Sequence, residues 1–278
     1  MLLLFQDQTV ERRIELSKKK IEFLIISRLV LNIEILFTIL NNYDIDAAMK
    51  HEKSIYIELK KRLTLNEFRH GTKLRAEILR KEFECSASTV REILFRLATQ
   101  GLVKFQEQRG FRVPEMSPTK LIELTHMRIL LEGEGAVLSI RQGGVGWEAQ
   151  LSAAHHKLSH LEKRIHSLED SSELVELWFS SETEFHQTLI SACGSTTLKQ
   201  MHSRIYSQFR QQLMEADRRF DFMSDNIKQH SDILDAALAA DEALTRKRIH
   251  DHLGRHLTGR TASPSSSNQL STIESYLA

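Results

Sequence analysis

The chain has 278 residues and a mass of 32.1 kDa, which is long enough for two domains of ordinary size. Hydrophobic residues (41%) and charged residues (27%) occur in the proportions of a folded protein, and a mean hydropathy of −0.31 excludes a polytopic membrane protein. Two cysteines exclude a disulfide scaffold and favour a reducing cytoplasm. Because the net charge is only +1, a charged partner has to be met by a local patch.

Residues 1–48 form an N-terminal extension whose composition differs from that of the rest of the chain. The stretch from Phe23 to Leu40 is rich in Ile and Leu, but it contains Arg28 and Glu34. A central arginine costs roughly 2.5–3.5 kcal/mol on the membrane-insertion scale, so the sequence predicts no membrane span here. The extension is either an amphipathic helix or a segment absent from the native protein, because Met49 can serve as a translation start. We favour the second interpretation.

Residues 49–114 carry the pattern of three helices followed by a β-hairpin. Apolar residues recur three times at helical spacing, and the third helix has Ser and Thr N-cap candidates at its start and Gly101 at its end. Two β-prone runs, Leu102–Phe105 and Phe111–Val113, then flank a turn at Gly110. This order predicts a winged helix-turn-helix, whose third helix enters the major groove of DNA. On the second helix, the residues expected on the inner face are Ile78, Leu79 and Phe83.

Basic charge is concentrated in this part of the chain. Residues 53–112 contain 14 Lys or Arg and 7 Asp or Glu, a net charge of +7, so the remainder carries −6. A basic run alone is common on solvated helices, but basic charge on a helix-turn-helix is what contacts to DNA phosphates require. Element order and charge together therefore predict binding to double-stranded operator DNA.

The segment from Leu74 to Leu94, followed by Gly101-Leu102-Val103 and Arg109–Val113, resembles the winged-helix domain of GntR-family transcription regulators. The resemblance implies DNA contacts from the start of the third helix and from the tip of the wing. The matching candidates are Arg75, Ser86, Ser88, Thr89, Arg91, Arg109 and Gly110. The hydroxyl side chains among them can also cap the helix. Ala87 stands where the family has its first arginine, so the family's usual operator sequence is not carried over to this chain.

Residues 117–260 carry the pattern of an all-helical bundle. The chain has no proline between Pro118 and Leu257, and apolar residues recur at helical spacing throughout. Breaks in the pattern predict about six helices, and a bundle of that size can enclose a ligand cavity. The breaks fall at residues 143–146, 169–172, 194–195 and 239–241. The Ser-rich residues 261–278 are predicted to be a disordered tail.

Of the 13 histidines in the chain, 11 lie in this domain, and they are its most chemically versatile residues. Some of them form pairs at i,i+4 spacing, which places both side chains on one helical face as a metal pair requires. Such pairs are expected by chance among so many histidines, and any single pair is better explained by solvated histidines or histidines at the edge of a core. The pairs are Glu182/His186, His156/His160 and His252/His256. The chain has no His-Glu-x-x-His motif, no Gly-rich phosphate loop and no nucleophile elbow, so the usual hydrolase motifs are absent.

Four further segments resemble the FCD effector domain of the FadR-like branch of GntR regulators. They are residues 128–132, 182–186, 229–237 and 249–253. The resemblance implies a divalent metal held inside the bundle by one carboxylate and three histidines, here Glu182, His186, His230 and His252, with Glu in place of the family's more frequent Asp. Three imidazoles and a carboxylate suit Zn²⁺ first, with Ni²⁺ or Mn²⁺ as alternatives.

Arg128 matches an arginine of the same family pattern, which implies that it pairs with an anionic effector through its planar guanidinium. The alternative is a salt bridge to Glu132, four residues further along the same helix.

These features predict a mainly α-helical, cytoplasmic transcription regulator that binds DNA as a homodimer and is not an enzyme. We expect a repressor whose operator affinity is controlled by a small carboxylate or sugar acid bound at or near the metal. The alternatives are a metal-dependent hydrolase and a regulator whose metal is purely structural.

Overall fold

The computed structural model describes Arg28 and residues 49–167, 172–213 and 223–257. By its internal contacts the chain divides into two units, Met1–Ile57 and Glu58–Ala278. The predictions for the extension, Arg28 apart, and for the tail at residues 261–278 lie outside the described residues. No helix of the described segments combines the length and the apolar character that crossing a membrane requires.

Three helices and a small antiparallel sheet come first in the described chain. They are α1 at residues 49–64, β1 Lys73–Leu74, α2 Ala76–Glu82, α3 Ala87–Thr99, β2 Lys104–Gln106 and β3 Gly110–Arg112. The strand order is β1-β3-β2, with Arg112 opposite Lys73 on one side and Lys104 on the other. The winged helix-turn-helix is confirmed. The third strand, β1, is an addition to the predicted hairpin, because a two-residue strand shows no alternation that a sequence pattern reveals.

Helix α3 is fixed at both ends by residues that the sequence singles out. Ser86 Oγ accepts a hydrogen bond from the Thr89 backbone N–H at 3.0 Å, which satisfies one of the free amides of the first turn. At the other end Gly101 has φ +77°, a left-handed conformation that glycine adopts without strain. Between these ends the inner face is fully buried. It consists of Val90, Ile93, Leu94 and Leu97.

Helix α2 is shorter than its predicted inner face requires. Leu79 is buried, but Ile78 is 57% exposed, so its expected place in the core is wrong. A helix of seven residues makes two turns, and adjacent positions lie 100° apart, so Leu79 takes the inward position and Ile78 is turned to solvent.

The described part of the second domain contains the six predicted helices. They are α4 Pro118–Gln142, α5 Gly144–Ser167, α6 Ser172–Leu189, α7 Thr196–Gln212, α8 Met223–Leu238 and α9 Glu242–Gly254. Helix α4 packs against α7 and α9, while α5 packs against α6 and α8. Most of their inward side chains form one large core, whose fully buried members include Leu151, Leu158, Phe185, Leu189 and Ile233. A smaller cluster of Leu121, Leu124, Phe209 and Leu213 joins α4 to α7. Buried polar side chains also lie inside the bundle, among them His186 of α6, His230 of α8 and His252 of α9.

Candidate metal centre and DNA interface

Three histidines from three helices meet inside the bundle. His186 lies on α6, His230 on α8 and His252 on α9, and all three are buried. One ring nitrogen of each lies within 4.8 Å of those of the other two. Two of these histidines, His230 and His252, are 22 positions apart in sequence, so the packing of α8 against α9 is what brings them together.

Each of the three imidazoles has a polar side chain beside its Nδ1 atom, and for His230 and His252 the contact is a hydrogen bond. His186 Nδ1 lies 2.8 Å from Glu132 Oε2, His230 Nδ1 lies 3.0 Å from Glu162 Oε1, and His252 Nδ1 lies 3.0 Å from Gln229 Oε1. A neutral imidazole that donates from Nδ1 keeps a lone pair on Nε2. This is the arrangement in which outer polar groups orient the histidine ligands of a metal.

The free ring nitrogens fit a metal ion. The Nε2 atoms of His186 and His230 are buried and have no hydrogen-bond partner within the described segments. Burial lowers the pKa of His186, and burial and the neighbouring His230 hold the pKa of His252 well below its usual range, so both rings are neutral at pH 7. In a tetrahedral zinc site with Zn–N bonds of about 2.0–2.1 Å, the nitrogens lie ~3.3 Å apart, so small ring movements suffice to close this group on one ion.

Glu182, the fourth predicted ligand, is held by a different partner. It lies one helical turn before His186, but its Oε2 accepts a hydrogen bond from Arg210 Nη1 of α7. Glu182 is not part of the three-histidine group. Its role as a ligand stays a prediction, and it requires the carboxylate to turn away from Arg210.

Arg128 is 1% exposed and forms the salt bridge that the sequence offers as an alternative. Its Nε donates to Glu132 Oε1 at 2.7 Å, and the guanidinium carbon lies 4.5 Å from the ring centroids of both Tyr206 and Phe209. His202 Nε2 is a further contact of Glu132 Oε1, at 2.9 Å. Burial by itself would raise the pKa of Glu132, but Arg128 and His186 outweigh it and hold that pKa well below the usual range. Glu132 is thus a buried carboxylate that stays charged.

Two arginines and one of the histidines face a common cavity. Arg128, Arg210 and His252 line a narrow cavity whose interior has room for about one water molecule. The Nη2 atoms of both arginines are buried and lack a hydrogen-bond partner among the described residues. Guanidinium N–H groups are strong donors to carboxylates and phosphates, so two unsatisfied ones in a single cavity favour an anionic occupant.

Most candidate DNA-binding side chains lie on the surface of the winged helix. Arg75, Arg91 and Arg109 are exposed, as are Ser86 and Ser88, while Thr89 and Gly110 are partly buried. Ser86 Oγ lies 2.7 Å from Ser88 Oγ and 2.9 Å from Thr89 Oγ1, so the three hydroxyl groups form one cluster at the start of α3. The roles of all seven residues in DNA contact remain predictions.

Sequence reasoning missed Lys73 as a candidate for DNA contact. This exposed lysine lies on β1, whose pairing with β3 places it beside the wing. A Cβ added to Gly110, which has φ +75°, would lie 4.0 Å from Lys73 Cε. Only the sheet register, which no sequence pattern revealed, brings the lysine close to the wing glycine.

Comparison with known families matches both halves of the chain. Residues 51–113 match the model described as "Bacterial regulatory proteins, gntR family", and residues 123–255 match the FCD domain. The chain is similar to the HTH-type transcriptional regulator BphR of Paraburkholderia xenovorans LB400, with 35% identity over 66% of this chain and 74% of that one. It is also similar to the HTH-type transcriptional repressor GlaR of Escherichia coli K12, with 29% identity over 71% of this chain and 90% of that one.

Solved structures share the fold. The E. coli protein McbR/YncC superposes with a TM-score of 0.64 at 18% identity, covering 74% of this chain and 95% of that one. A GntR transcriptional regulator from Rhodococcus sp. RHA1 superposes with a TM-score of 0.59 at 19% identity, covering 76% of this chain and all of that one. These likenesses confirm a winged helix followed by a helical bundle.

Proposed function

The chain belongs to the GntR family of bacterial regulatory proteins and is a DNA-binding transcription regulator with an FCD domain; from this premise we propose that it is a repressor controlled by a small carboxylate bound beside a divalent metal ion. The single observation that carries the proposal is the shared interior of the FCD domain. There, unsatisfied imidazole nitrogens and unsatisfied guanidinium donors lie on the same few helices.

The metal is supported by the chemistry of the donor set. Three buried imidazoles suit Zn²⁺, and Ni²⁺ or Mn²⁺ are the alternatives. The Nε2 atoms of His186 and His230 lack a hydrogen-bond partner among the described residues. His186, His230 and His252 would hold the ion, and Glu182 would join them if its carboxylate leaves Arg210. A bound ion of this kind supplies positive charge and open coordination positions for an oxygen ligand.

The effector is supported by the arginine donors that line the cavity beside this centre, and the narrow cavity has to widen to admit an acid. Among the described residues, Arg128 and Arg210 each have a buried Nη2 group without an acceptor, and each arginine already forms an ion pair with a glutamate. A carboxylate or a sugar acid offers the acceptor oxygens that these groups lack. Because Arg128 is buried against two aromatic rings, its guanidinium is held in a fixed orientation to receive such a ligand.

Control of transcription follows from linkage between the two domains. An acid that binds one arrangement of the regulator more tightly shifts the population toward it, and only by the difference in affinity. We propose a homodimer, because one winged helix reads few base pairs whereas two recognition helices, about 34 Å apart, read a pseudo-palindrome. The relative GlaR is named a repressor, which supports repression here. Operator DNA lies in the cytoplasm, where we expect the protein to act.

The hydrolase alternative is set aside, because the matched families and relatives are transcription regulators and not enzymes. A purely structural metal remains the second candidate, and the complete burial of His186 and His230 favours it. In that case the ion would stabilise the bundle without taking part in the response.

The test is operator binding with and without acids, using a duplex that the wild-type protein selects from a random pool. Fluorescence anisotropy would give the dissociation constant of the zinc-loaded protein alone and with lactate, malate or gluconate. We expect one acid class to weaken binding at least tenfold, and His230→Ala to abolish that effect. If His230→Ala lowers the melting temperature but keeps the acid response, the metal is structural. If no acid changes the affinity of the wild type, the proposed control is wrong.

A further inference from the structure

Helix α7 contacts both the cavity and the DNA-binding domain. Toward the cavity it presents Phe209 and Arg210, which are lining residues. Toward the DNA-binding domain it presents three glutamines, called here the α7 glutamines: Gln208, Gln211 and Gln212. Every one of them hydrogen-bonds to the backbone of the winged-helix domain or of the segment that joins it to α4. Residues that line the cavity and residues that hydrogen-bond to the DNA-binding domain therefore lie side by side at positions 208–212, within about one and a half helical turns.

Two of the α7 glutamines hold the segment between the recognition helix and the wing. Gln208 Nε2 donates to the carbonyl oxygen of Gln100 at 2.9 Å, and Gln100 is the C-cap residue of α3. Gln211 Nε2 donates to the carbonyl oxygen of Leu102 at 3.0 Å, two residues before β2 begins. These two hydrogen bonds reach the point at which the recognition helix ends and the chain continues into the wing.

The third glutamine holds the connection between the domains. Gln212 Nε2 donates to the carbonyl oxygen of Glu115 at 3.2 Å, and its Oε1 accepts from the backbone N–H of Ser117 at 2.9 Å. Ser117 is the N-cap of α4, the helix that carries Arg128 and Glu132. The end of α7 is thus hydrogen-bonded to the segment between the wing and α4.

These hydrogen bonds are buried and closely packed. Gln211 is 1% exposed, and a buried amide that donates to a buried carbonyl has no water to replace it. The segment after α3 also lies directly against Gln208, because a Cβ added to Gly101 would approach the Gln208 Cδ atom to 2.8 Å. Packed interiors shift between discrete arrangements and do not deform continuously. A displacement of α7 would therefore also displace the residues to which its glutamines are hydrogen-bonded.

We propose that α7 transmits the state of the cavity to the recognition helix, with the α7 glutamines as positioning residues. The cavity end of this path is the ion pair between Arg210 and Glu182, which fixes the last turn of α7 against α6. An anion that engages Arg210 changes this pairing, and Gln208 and Gln211 carry the shift to residues 100–102. This inference rests on the proposed function for its natural stimulus, but the path itself belongs to the chain and operates without a ligand.

The test is a double-mutant cycle that uses the full chain and no effector. Glu182→Gln perturbs the cavity end, and Gln208→Met together with Gln211→Met removes two donors while keeping side chains of similar length. Gln200→Met, an exposed position of the same helix, is the matched control. Anisotropy with the selected duplex gives the dissociation constant of each variant, since residues on one connected path are coupled and independent residues are not.

We expect Glu182→Gln to change operator affinity at least about threefold in the wild-type and Gln200→Met backgrounds, a coupling of the size seen for connected residues. In the Gln208→Met/Gln211→Met background the same change should fall within error. An equal effect in all backgrounds, or no effect of Glu182→Gln in the wild type, overturns the proposal.

If the Gln208→Met/Gln211→Met variant fails to fold, the proposal can be tested on the wild type by comparing its hydrogen–deuterium exchange with and without zinc. Zinc alone, at a stoichiometry checked by elemental analysis, should change the exchange of residues 100–106 and leave α2 unchanged. Zinc that binds without changing residues 100–106 counts against the proposal. Failure to bind zinc or to respond to acids counts against the proposed function, and the mutant cycle, which needs neither, still decides the role of α7.

Discussion

Glu132 contacts three buried side chains at once, so Glu132→Gln tests the charge arrangement of the cavity directly. Its Oε1 accepts from Arg128 at 2.7 Å and lies 2.9 Å from His202 Nε2, and its Oε2 lies 2.8 Å from His186 Nδ1. The substitution keeps the size of the side chain and removes its charge. Arg128 is then a buried cation without a counter-ion, which costs about 3–5 kcal/mol of unfolding free energy. Because glutamine keeps one acceptor oxygen, we expect about 3 kcal/mol.

The same substitution should weaken metal binding. Glu132 orients His186, and loss of such an outer partner costs roughly 10- to 100-fold in metal affinity. Urea unfolding followed by circular dichroism measures the first effect, and competition with a chelator measures the second. Glu134→Gln is the matched control, since Glu134 lies on the same helix but pairs with Arg246 at the surface, where an ion pair contributes at most about 1 kcal/mol. Equal unfolding free energies for the two variants would refute the buried charge balance.

Three further predictions concern the recognition helix and the edge of the cavity. Arg91→Ala should lower operator affinity roughly 5- to 150-fold, the value of one bidentate base contact, whereas Lys120→Ala on α4 should leave it unchanged in the same anisotropy assay. Ser86→Ala removes the acceptor for the Thr89 N–H and should cost about 1 kcal/mol of stability in urea; an unchanged midpoint would contradict this role. Burial, followed by the charge of Arg255, holds the pKa of His256 well below its usual range, so the unfolded chain takes up a proton that the folded protein refuses. Stability should therefore fall as pH drops below about 6.5, by less than ~1.4 kcal/mol per pH unit, and His256→Gln should reduce this slope.

Much of the winged helix could be predicted because its determinants are local. Residues 86–101 contain the Ser86 cap, the buried face of α3 and the glycine after the helix, and the structure has each of these features. What could not be predicted depends on pairing between distant segments. Strand β1 exists only because Leu74 pairs with Phe111, and this pairing is also what brings Lys73 to the wing. Two residues are too few to carry a strand pattern.

For the candidate metal centre, too, some features could be predicted from the sequence and others could not. The resemblance named His186, His230 and His252, and their approach in the bundle agrees with a common role, although metal binding itself stays a prediction. Spacing along the chain could not reveal the groups that orient the rings, since Glu162 is 68 residues from His230 in sequence. Nor could it reveal that Arg210, 28 residues after Glu182, engages the carboxylate that the family pattern assigns to the metal.

Arg128 illustrates how both sequence interpretations can hold together. The i,i+4 spacing favours a salt bridge to Glu132, and the structure has it. Its Nη2 nitrogen is nevertheless buried without a partner in the part of the chain that the structure describes, which is the feature that an effector carboxylate requires. The ion pair with Glu132 also holds the Arg128 guanidinium in position for a ligand. This second role follows from the burial of the two side chains and not from their spacing in sequence.

Metal content measured together with acid-dependent melting tests the central claim most directly. Elemental analysis of the purified protein should give close to one divalent ion per chain, and one class of hydroxy or sugar acid should raise the melting temperature of the metal-loaded protein only. His186→Ala should lose both the ion and the acid effect. Acid stabilisation that persists after chelation would move recognition onto Arg128 and Arg210 alone. A protein that takes up no metal on reconstitution and gains no stability from any acid would contradict the account.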